Sequence, residues 1–199
     1  FVPAGHRCEV HKVTLTNTGD VAKSFTLFSF VEWCLWNAST DMENFQRNLS
    51  VGEVEIEDGV IYHKTEYRER RNHYAFYGAN LPVAGFDTDR DSFLGPYNGF
   101  DSPRAVMENN PGMSVAHGWS PVASHCIDIT LEPGETKDVV FVLGYVENPE
   151  NEKFAEPSGR ELNSCSAIIN KTRAREMMGA FRTVEDVDKA FEALKEYWD

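Results

Sequence analysis

The sequence is short of basic residues, of cysteine and of long apolar runs, and each shortage excludes something. Its 19 Lys and Arg stand against 32 Asp and Glu, a formal charge of −13, so the surface repels a phosphate backbone and nucleic acid is not an expected partner. The longest nearly apolar stretches are Phe25 to Trp36, interrupted by Glu32, and Val139 to Val146. Both fall well below the roughly 20 residues that a membrane helix requires, and no membrane partner is expected. The four cysteines, Cys8, Cys34, Cys126 and Cys165, include no CxxC pair. That usage fits single reduced thiols in the cytoplasm better than a disulfide framework. Also missing are the GxSxG elbow and the GxxxxGK[ST] and GxGxxG loops, so the corresponding nucleophile and phosphate-cradle chemistries lose support.

What is present is the composition of a folded protein. The chain is 41% hydrophobic and 26% charged, with 14 Gly and 9 Pro among 199 residues, which allows a sizeable core and argues for one domain plus a tail. Cys8 to Asn17 alternates with His11, Val13 and Leu15 on one side and Val10, Lys12 and Thr14 on the other, the period of a strand. Lys23 to Trp36 is aromatic and branched on both parities, so we expect a central strand covered on both faces. Asp58-Gly59 between Val54–Glu57 and Val60–Lys64 predicts a two-residue hairpin, because glycine adopts the positive φ of a primed turn. Glu132, Pro133, Gly134 and Glu135 predict a turn between Cys126–Leu131 and Lys137–Val146. The body therefore reads as antiparallel β.

Ala84 to Trp119 is rich in Gly, Pro, Asn and Asp and reads as mostly loop, the first place to look for contacts with a ligand or partner. Glu147 to Ser166 reads as a second polar loop. Lys171 to Ala180 is helix-prone, and Thr183 with Asp186 resembles a capping box. The helix that follows carries Val184, Val187, Phe191, Leu194 and Trp198 at three- and four-residue steps, one apolar stripe that needs a partner surface. The sequence opens in what reads as the tail of a strand and closes on Tyr197-Trp198-Asp199 without a C-cap. We therefore expect the native chain to continue in both directions.

Three polar groupings carry possible chemistry. His63 with His73, and His117 with His125, lack the close ligand spacing of a zinc site, and no metal is expected. Arg68, Arg70 and Arg71 could form a fork for an anion, but a solvated sheet face with Glu69 explains them more simply. Gly85 to Gly95 holds Asp87, Asp89, Arg90 and Asp91 between apolar residues. It departs from the calcium-loop spacing, and it reads either as a loop in which the acids fix one guanidinium or as a sugar contact with an aromatic platform such as Phe93, Tyr97 or Trp119.

Trp36-Asn37, Asp41-Met42, Asn44-Phe45-Gln46-Arg47-Asn48, Gly52-Glu53-Val54-Glu55 and the run Ile61 to Phe76 together resemble the amino-terminal region of the cellobiose phosphorylase family of inverting glycoside phosphorylases. The likeness continues through Gly85 to Gly95, Tyr97 to Asp101, Gly118 to Pro121 and Leu143 to Asn148, and is weakest at Glu150 to Ala167. It implies a mainly β fold: an antiparallel β super-sandwich, galactose-mutarotase-like, over residues 1–166 and lacking its opening strands, then linker α-helices over 167–199 leading toward an (α/α)6 barrel. It implies phosphorolysis of cellobiose to α-D-glucose 1-phosphate and D-glucose with inversion, in a homodimer. Inorganic phosphate is the co-substrate and no other cofactor is needed. The general acid of the family is an Asp in the barrel, so no catalytic residue is expected here and the segment alone should be inactive. Asp87, Asp89, Arg90 and Phe93 are the candidate substrate contacts: Arg90 orienting a hydroxyl, Phe93 packing on the acceptor glucose, and the acids holding Arg90. The alternatives are a phosphorylase for cellodextrins or another β-disaccharide, and a stand-alone carbohydrate-binding or dimerisation module.

Overall fold

The structure, a computed structural model, describes residues 1–33, 52–65, 72–116, 121–155 and 168–198. Cys34, Trp36-Asn37, Asp41 to Asn48, Arg68 to Arg71, His117 to Trp119 and Cys165 fall outside the described residues. Two antiparallel sheets form the body. The larger runs β1 (Cys8–Thr16), β9 (Thr136–Glu147), β6 (His73–Ala79), β5 (Val60–Thr65) and β4 (Gly52–Glu57) in that order. The smaller is centred on β8 (Pro121–Leu131), with β2 (Lys23–Phe28), β3 (Val31–Glu32) and β7 (Gly85–Asp89) paired to it. Among the described residues no helix is long and apolar enough to cross a membrane.

The alternation read in β1 sorts its side chains between two layers. Val13 and Leu15 pack between the sheets, where Ile61, Tyr77, Ile127, Ile129, Val139 and Phe141 are buried. Cys8 and Val10 face the other side of the large sheet, with Tyr74, Phe76, Val140 and Val142. The hairpin forms as expected: Glu57 opposes Val60, and Asp58 and Gly59 take φ of 51° and 76°, the left-handed conformation that a primed turn needs. Gly144 answers a different need. A Cβ there would lie 2.1 Å from Phe76 Cζ, so the buried Phe76 ring occupies the space that any side chain at 144 would require.

Two expectations change. The run from Lys23 is not a central strand. Among the described residues it pairs with β8 alone, first as β2 and then as β3, with Phe28 opposite Cys126 and Val31 opposite Ala123 in one continuous register. Its first residues are exposed. Both parities are apolar because Leu27, Val31 and Trp33 face the inter-sheet layer while Phe28 and Phe30 cover a separate small cluster. The turn at Glu132–Glu135 does form, but β8 and β9 belong to different sheets, so it is an arch between layers. Buried Asn17 braces this end. Its Nδ2 donates to Leu131 O and Val21 O, its Oδ1 accepts from Gly19 N, and its backbone exchanges hydrogen bonds with Gly134 and Glu135.

The segment read as loop contains β7, a short helix α1 (Arg90–Leu94) and another, α2 (Arg104–Met107). Two longer helices, α3 (Thr172–Ala180) and α4 (Val184–Trp198), lie on the outer face of the large sheet. Ala174, Phe181 and Val187 enter its core. Thr183 Oγ1 accepts from Asp186 N at 3.1 Å and donates to Asp186 Oδ2 at 2.5 Å, the expected start of α4. Its apolar stripe docks only in its first half. Val187 is buried and Phe191 meets Phe1 at 5.1 Å, whereas Trp198 is 77% exposed. Charge fixes the approach to α3: Lys171, 6% exposed, places Nζ 3.0 Å from Glu55 Oε2 and 2.7 Å from Glu57 Oε2, and Arg175 also pairs with Glu57.

Candidate functional site

The β7–α1 corner gathers all four candidate residues, and it is built from the backbone outward. Asp87 is buried on β7. Its Oδ1 accepts from Ser114 Oγ at 2.6 Å and Ser114 N at 3.3 Å, and its Oδ2 accepts from Gly112 N at 2.9 Å. Next to it buried Thr88 donates from Oγ1 to Ser114 O at 3.0 Å and accepts from Ala116 N at 2.8 Å. Residues 112 to 116 are thereby laid along β7. Asp89 then caps α1, its Oδ1 accepting from Ser92 N at 2.7 Å, the usual work of a carboxylate at a helix start. Gly95 closes the helix, donating its N–H to Asp91 O.

Neither of these two carboxylates holds Arg90, contrary to the expected arrangement. Arg90 Nε donates to Glu32 Oε1 on β3 at 2.9 Å, and its guanidinium lies 5.3 Å from the centre of the Phe100 ring. The physical reason is competition. Asp87 and Asp89 already accept from backbone N–H groups that would otherwise go unsatisfied, while Glu32 points across the end of β8 toward Arg90. Phe93 is also placed differently. At 3% exposure it sits with Leu94, Ala105, Phe28 and Phe30, and Phe30 links it at 4.8 Å to Phe100 at 5.1 Å on the far side. Phe93 is therefore the anchor of the corner, and the exposed aromatics are Phe100 and Tyr97.

Backbone strain concentrates here. Tyr97, Asn109 and Met113 take φ of 64°, 48° and 51°, conformations that cost a bulky residue about 1 kcal/mol or more and persist where the surroundings enforce them. Glu32, Thr88, Phe100 and Ser114 were not singled out from sequence as parts of the site. Glu32 left a signal, the one charge inside an apolar run, and Phe100 lies within a stretch carrying the family likeness. Ser114 left none, since nothing local marks a serine whose partner is 27 positions away.

The histidines stand apart from this corner. Burial pushes His63 and His125 down to about 4, so both are neutral imidazoles. His73 contacts the Tyr145 hydroxyl and lies 3.6 Å from Glu147. Among the described residues no group of three or more His, Cys, Asp or Glu converges. The calcium-like reading of Gly85 to Gly95 also loses its basis, because the Asp87 oxygens and Asp89 Oδ1 face N–H and O–H donors. In chemical terms the corner offers the part-exposed guanidinium of Arg90, 34% accessible along its side chain, beside the exposed Phe100 ring on a braced platform. Such a surface can orient hydroxyl or anionic groups and pack against a sugar face.

Comparison with known proteins adds to the geometry. A family model described as glycosyl hydrolase 94, supersandwich domain, matches residues 1–183. An N,N'-diacetylchitobiose phosphorylase from Vibrio proteolyticus is 25% identical over 200 residues, covering 100% of this chain and 22% of the relative. A solabiose phosphorylase from Paenibacillus borealis is 29% identical over 183 residues, covering 88% of this chain and 24% of the relative. The cyclic β-(1,2)-glucan synthase NdvB of Rhizobium meliloti is 25% identical over 192 residues, covering 94% of this chain and 6% of the relative. The chain spans about a fifth to a quarter of the length of the phosphorylases it matches.

Proposed function

Because the chain belongs to the glycosyl hydrolase 94 supersandwich family, we propose that it is the sandwich portion of an inverting glycoside phosphorylase. The substrates in this reading are cellobiose and inorganic phosphate, and the products α-D-glucose 1-phosphate and D-glucose. A phosphate oxygen attacks the anomeric carbon from the face opposite the leaving glucose, the glycosidic C–O bond breaks, and a carboxylic acid outside this chain protonates the departing oxygen. The role of this segment is to wall the sugar site. One observation carries that role: Arg90, steadied by Glu32, presents a part-exposed guanidinium beside the exposed Phe100 ring on a corner whose acids, Asp87 and Asp89, are spent on bracing it.

Exposed Tyr97, Phe100, Val106, Met107, Met113 and Val115 on the same segment support contact with a second copy, so that the corner faces a sugar site across a homodimer. Cys8 and Cys126, buried as separate thiols, support a cytoplasmic enzyme. Burial pushes the Cys8 thiol up to about 11, which suits a packing role.

The test is product analysis with the intact protein on cellobiose, N,N'-diacetylchitobiose and solabiose, each with and without phosphate. Phosphate-dependent cleavage of cellobiose to glucose 1-phosphate, at least about tenfold faster than phosphorolysis of the other two, fits the reading. A different preferred disaccharide replaces cellobiose, and phosphate-independent behaviour with all three leaves a carbohydrate-binding or dimerisation module. The glucan synthase likeness, which covers 94% of the chain, favours a second reading, a sandwich serving a glucan-assembling enzyme. Polymer formation without phosphate would select it.

A further inference from the structure

Two stacks of imidazole on an aromatic ring tie the sheets together, and they run in opposite senses. His63, on β5 of the large sheet, stacks on Trp33 at the end of β3, with ring centres 5.4 Å apart and planes at 10°. His125, on β8 of the small sheet, stacks on Tyr77 of β6 at 5.0 Å and 12°. Tyr77 stacks in turn on Phe141 at 5.7 Å. His63 is 5% exposed and His125 0%. Among the described residues neither nitrogen of His63, nor Trp33 Nε1, has a hydrogen-bond partner, and the His125 ring has no side-chain hydrogen-bond partner, only the Gly59 backbone acting weakly on it.

A neutral ring tolerates such a layer far better than a cation does. Beside His63 stand Val54 on β4, Ala75 on β6 and Trp33. Beside His125 stand Phe86 on β7, Ser29, Tyr77 and the Phe141 behind it. Tyr77 is the one titratable group among these described neighbours, and burial pushes its phenol up to about 12, so it brings no negative charge. Among the described residues neither stack holds a carboxylate to receive a proton's charge. The outer face of the large sheet differs: its buried cation Lys171 already sits between Glu55 and Glu57.

We propose that the two stacks form an acid-operated seam: protonation of His63 and His125 parts the small sheet from the large one, carrying the β7–α1 corner with it, while the helix-covered face stays packed. The linkage has a definite sign. Each imidazole ordinarily titrates at 6.5 and is held down to about 4 in the closed state, so the open state binds more protons and closure weakens as pH falls from 6.5 toward 4. Below that window the dependence from these groups ends.

The test is hydrogen–deuterium exchange of the intact protein at pH 7 and pH 4.5, corrected for intrinsic rates. Amides of β2, β7 and β8 should exchange on the order of 10³-fold faster at pH 4.5, and those of β6 and α3 less than about threefold faster. The double variant His63→Phe/His125→Phe keeps the aromatic layer and removes the protons, and its acceleration should vanish. Uniform acceleration of both sheets, or opening of the variant at the unchanged pH, overturns the proposal. Should the variant fail to fold at pH 7, imidazole NMR titration of the wild type decides. The two rings should protonate in the same step that unprotects β8, and protonation of either ring with β8 still protected overturns the seam.

Discussion

Asp87 and Ser114 lie 27 positions apart and meet twice, the carboxylate accepting from the serine hydroxyl at 2.6 Å and from its backbone N–H at 3.3 Å. With Gly112 N on the second oxygen, one buried side chain satisfies three donors. Replacing it strands all three. Asp87→Ala should lower unfolding free energy by about 3 kcal/mol, read by urea denaturation with circular dichroism. A loss below about 1 kcal/mol would mean that the loop is held by something else.

Phe93 and Phe100 occupy two ends of one aromatic column but do different work. Phe93→Ala opens a cavity in a buried cluster and should cost about 3–5 kcal/mol of stability. Phe100, 54% exposed, should cost about 1 kcal/mol or less when truncated. If the proposed sugar contact holds, Phe100→Ala in the intact protein should instead raise KM for the acceptor sugar. Equal melting-temperature losses for the two variants would contradict this division.

Arg90 separates the contact role from the scaffold role. The Arg90–Glu32 pair is one-third exposed on both sides, so a double-mutant cycle on stability should return a coupling below about 1 kcal/mol. If the guanidinium meets sugar, Arg90→Ala in the intact enzyme should lower kcat/KM about tenfold or more, with melting temperature nearly unchanged. Unchanged kinetics would reduce Arg90 to a surface brace.

Glu57 sets the acid limit of the helix attachment. Its hydrogen bond from Lys171, with that from Arg175, holds its carboxyl below the ordinary 4.5. Its contribution is therefore present above pH 4.5 and is lost as pH falls through the depressed value. Glu57→Gln should flatten the stability profile below pH 4.5 and leave its shape between pH 4.5 and 6.5 unaltered. The effect should shrink in high salt, because the side chain is 34% exposed. Denaturation midpoints measured across pH for both proteins check it, and parallel profiles would refute it.

Gly144→Ala should be severe despite its size, because the added methyl would have to displace the Phe76 ring inside a closed core. About 3 kcal/mol is expected. Pairing it with Phe76→Leu should recover part of the loss, and thermal melts of the single and double variants decide.

The features legible in the sequence were those encoded locally. Alternation in β1, Asp58-Gly59 and the Thr183–Asp186 cap each rest on residues within a few positions of one another, and each formed as read. Relationships across the chain were not legible. Lys23–Trp36 has the apolar richness of a covered strand, but richness on both parities cannot distinguish a central strand from an edge strand with a second cluster beneath it. Pro133-Gly134 specifies a turn without saying whether the chain returns to the same sheet or crosses to another. The site followed the same rule. Asp87, Asp89, Arg90 and Phe93 do share one corner, but their individual duties depended on Glu32, Phe100 and Ser114, partners that only the folded chain brings near.

The pairing of β1 with β9 sets a timetable for synthesis. Thr16 meets Thr136 across 120 positions, and β1 has no other strand partner among the described residues. At translation rates of roughly 5–20 residues per second, β1 waits on the order of 6–25 s before its mate leaves the ribosome. During that interval an unpaired strand is open to capture by neighbouring nascent chains. Its charged and polar positions at Glu9, Lys12 and Thr14 then act as the protection it carries while it waits.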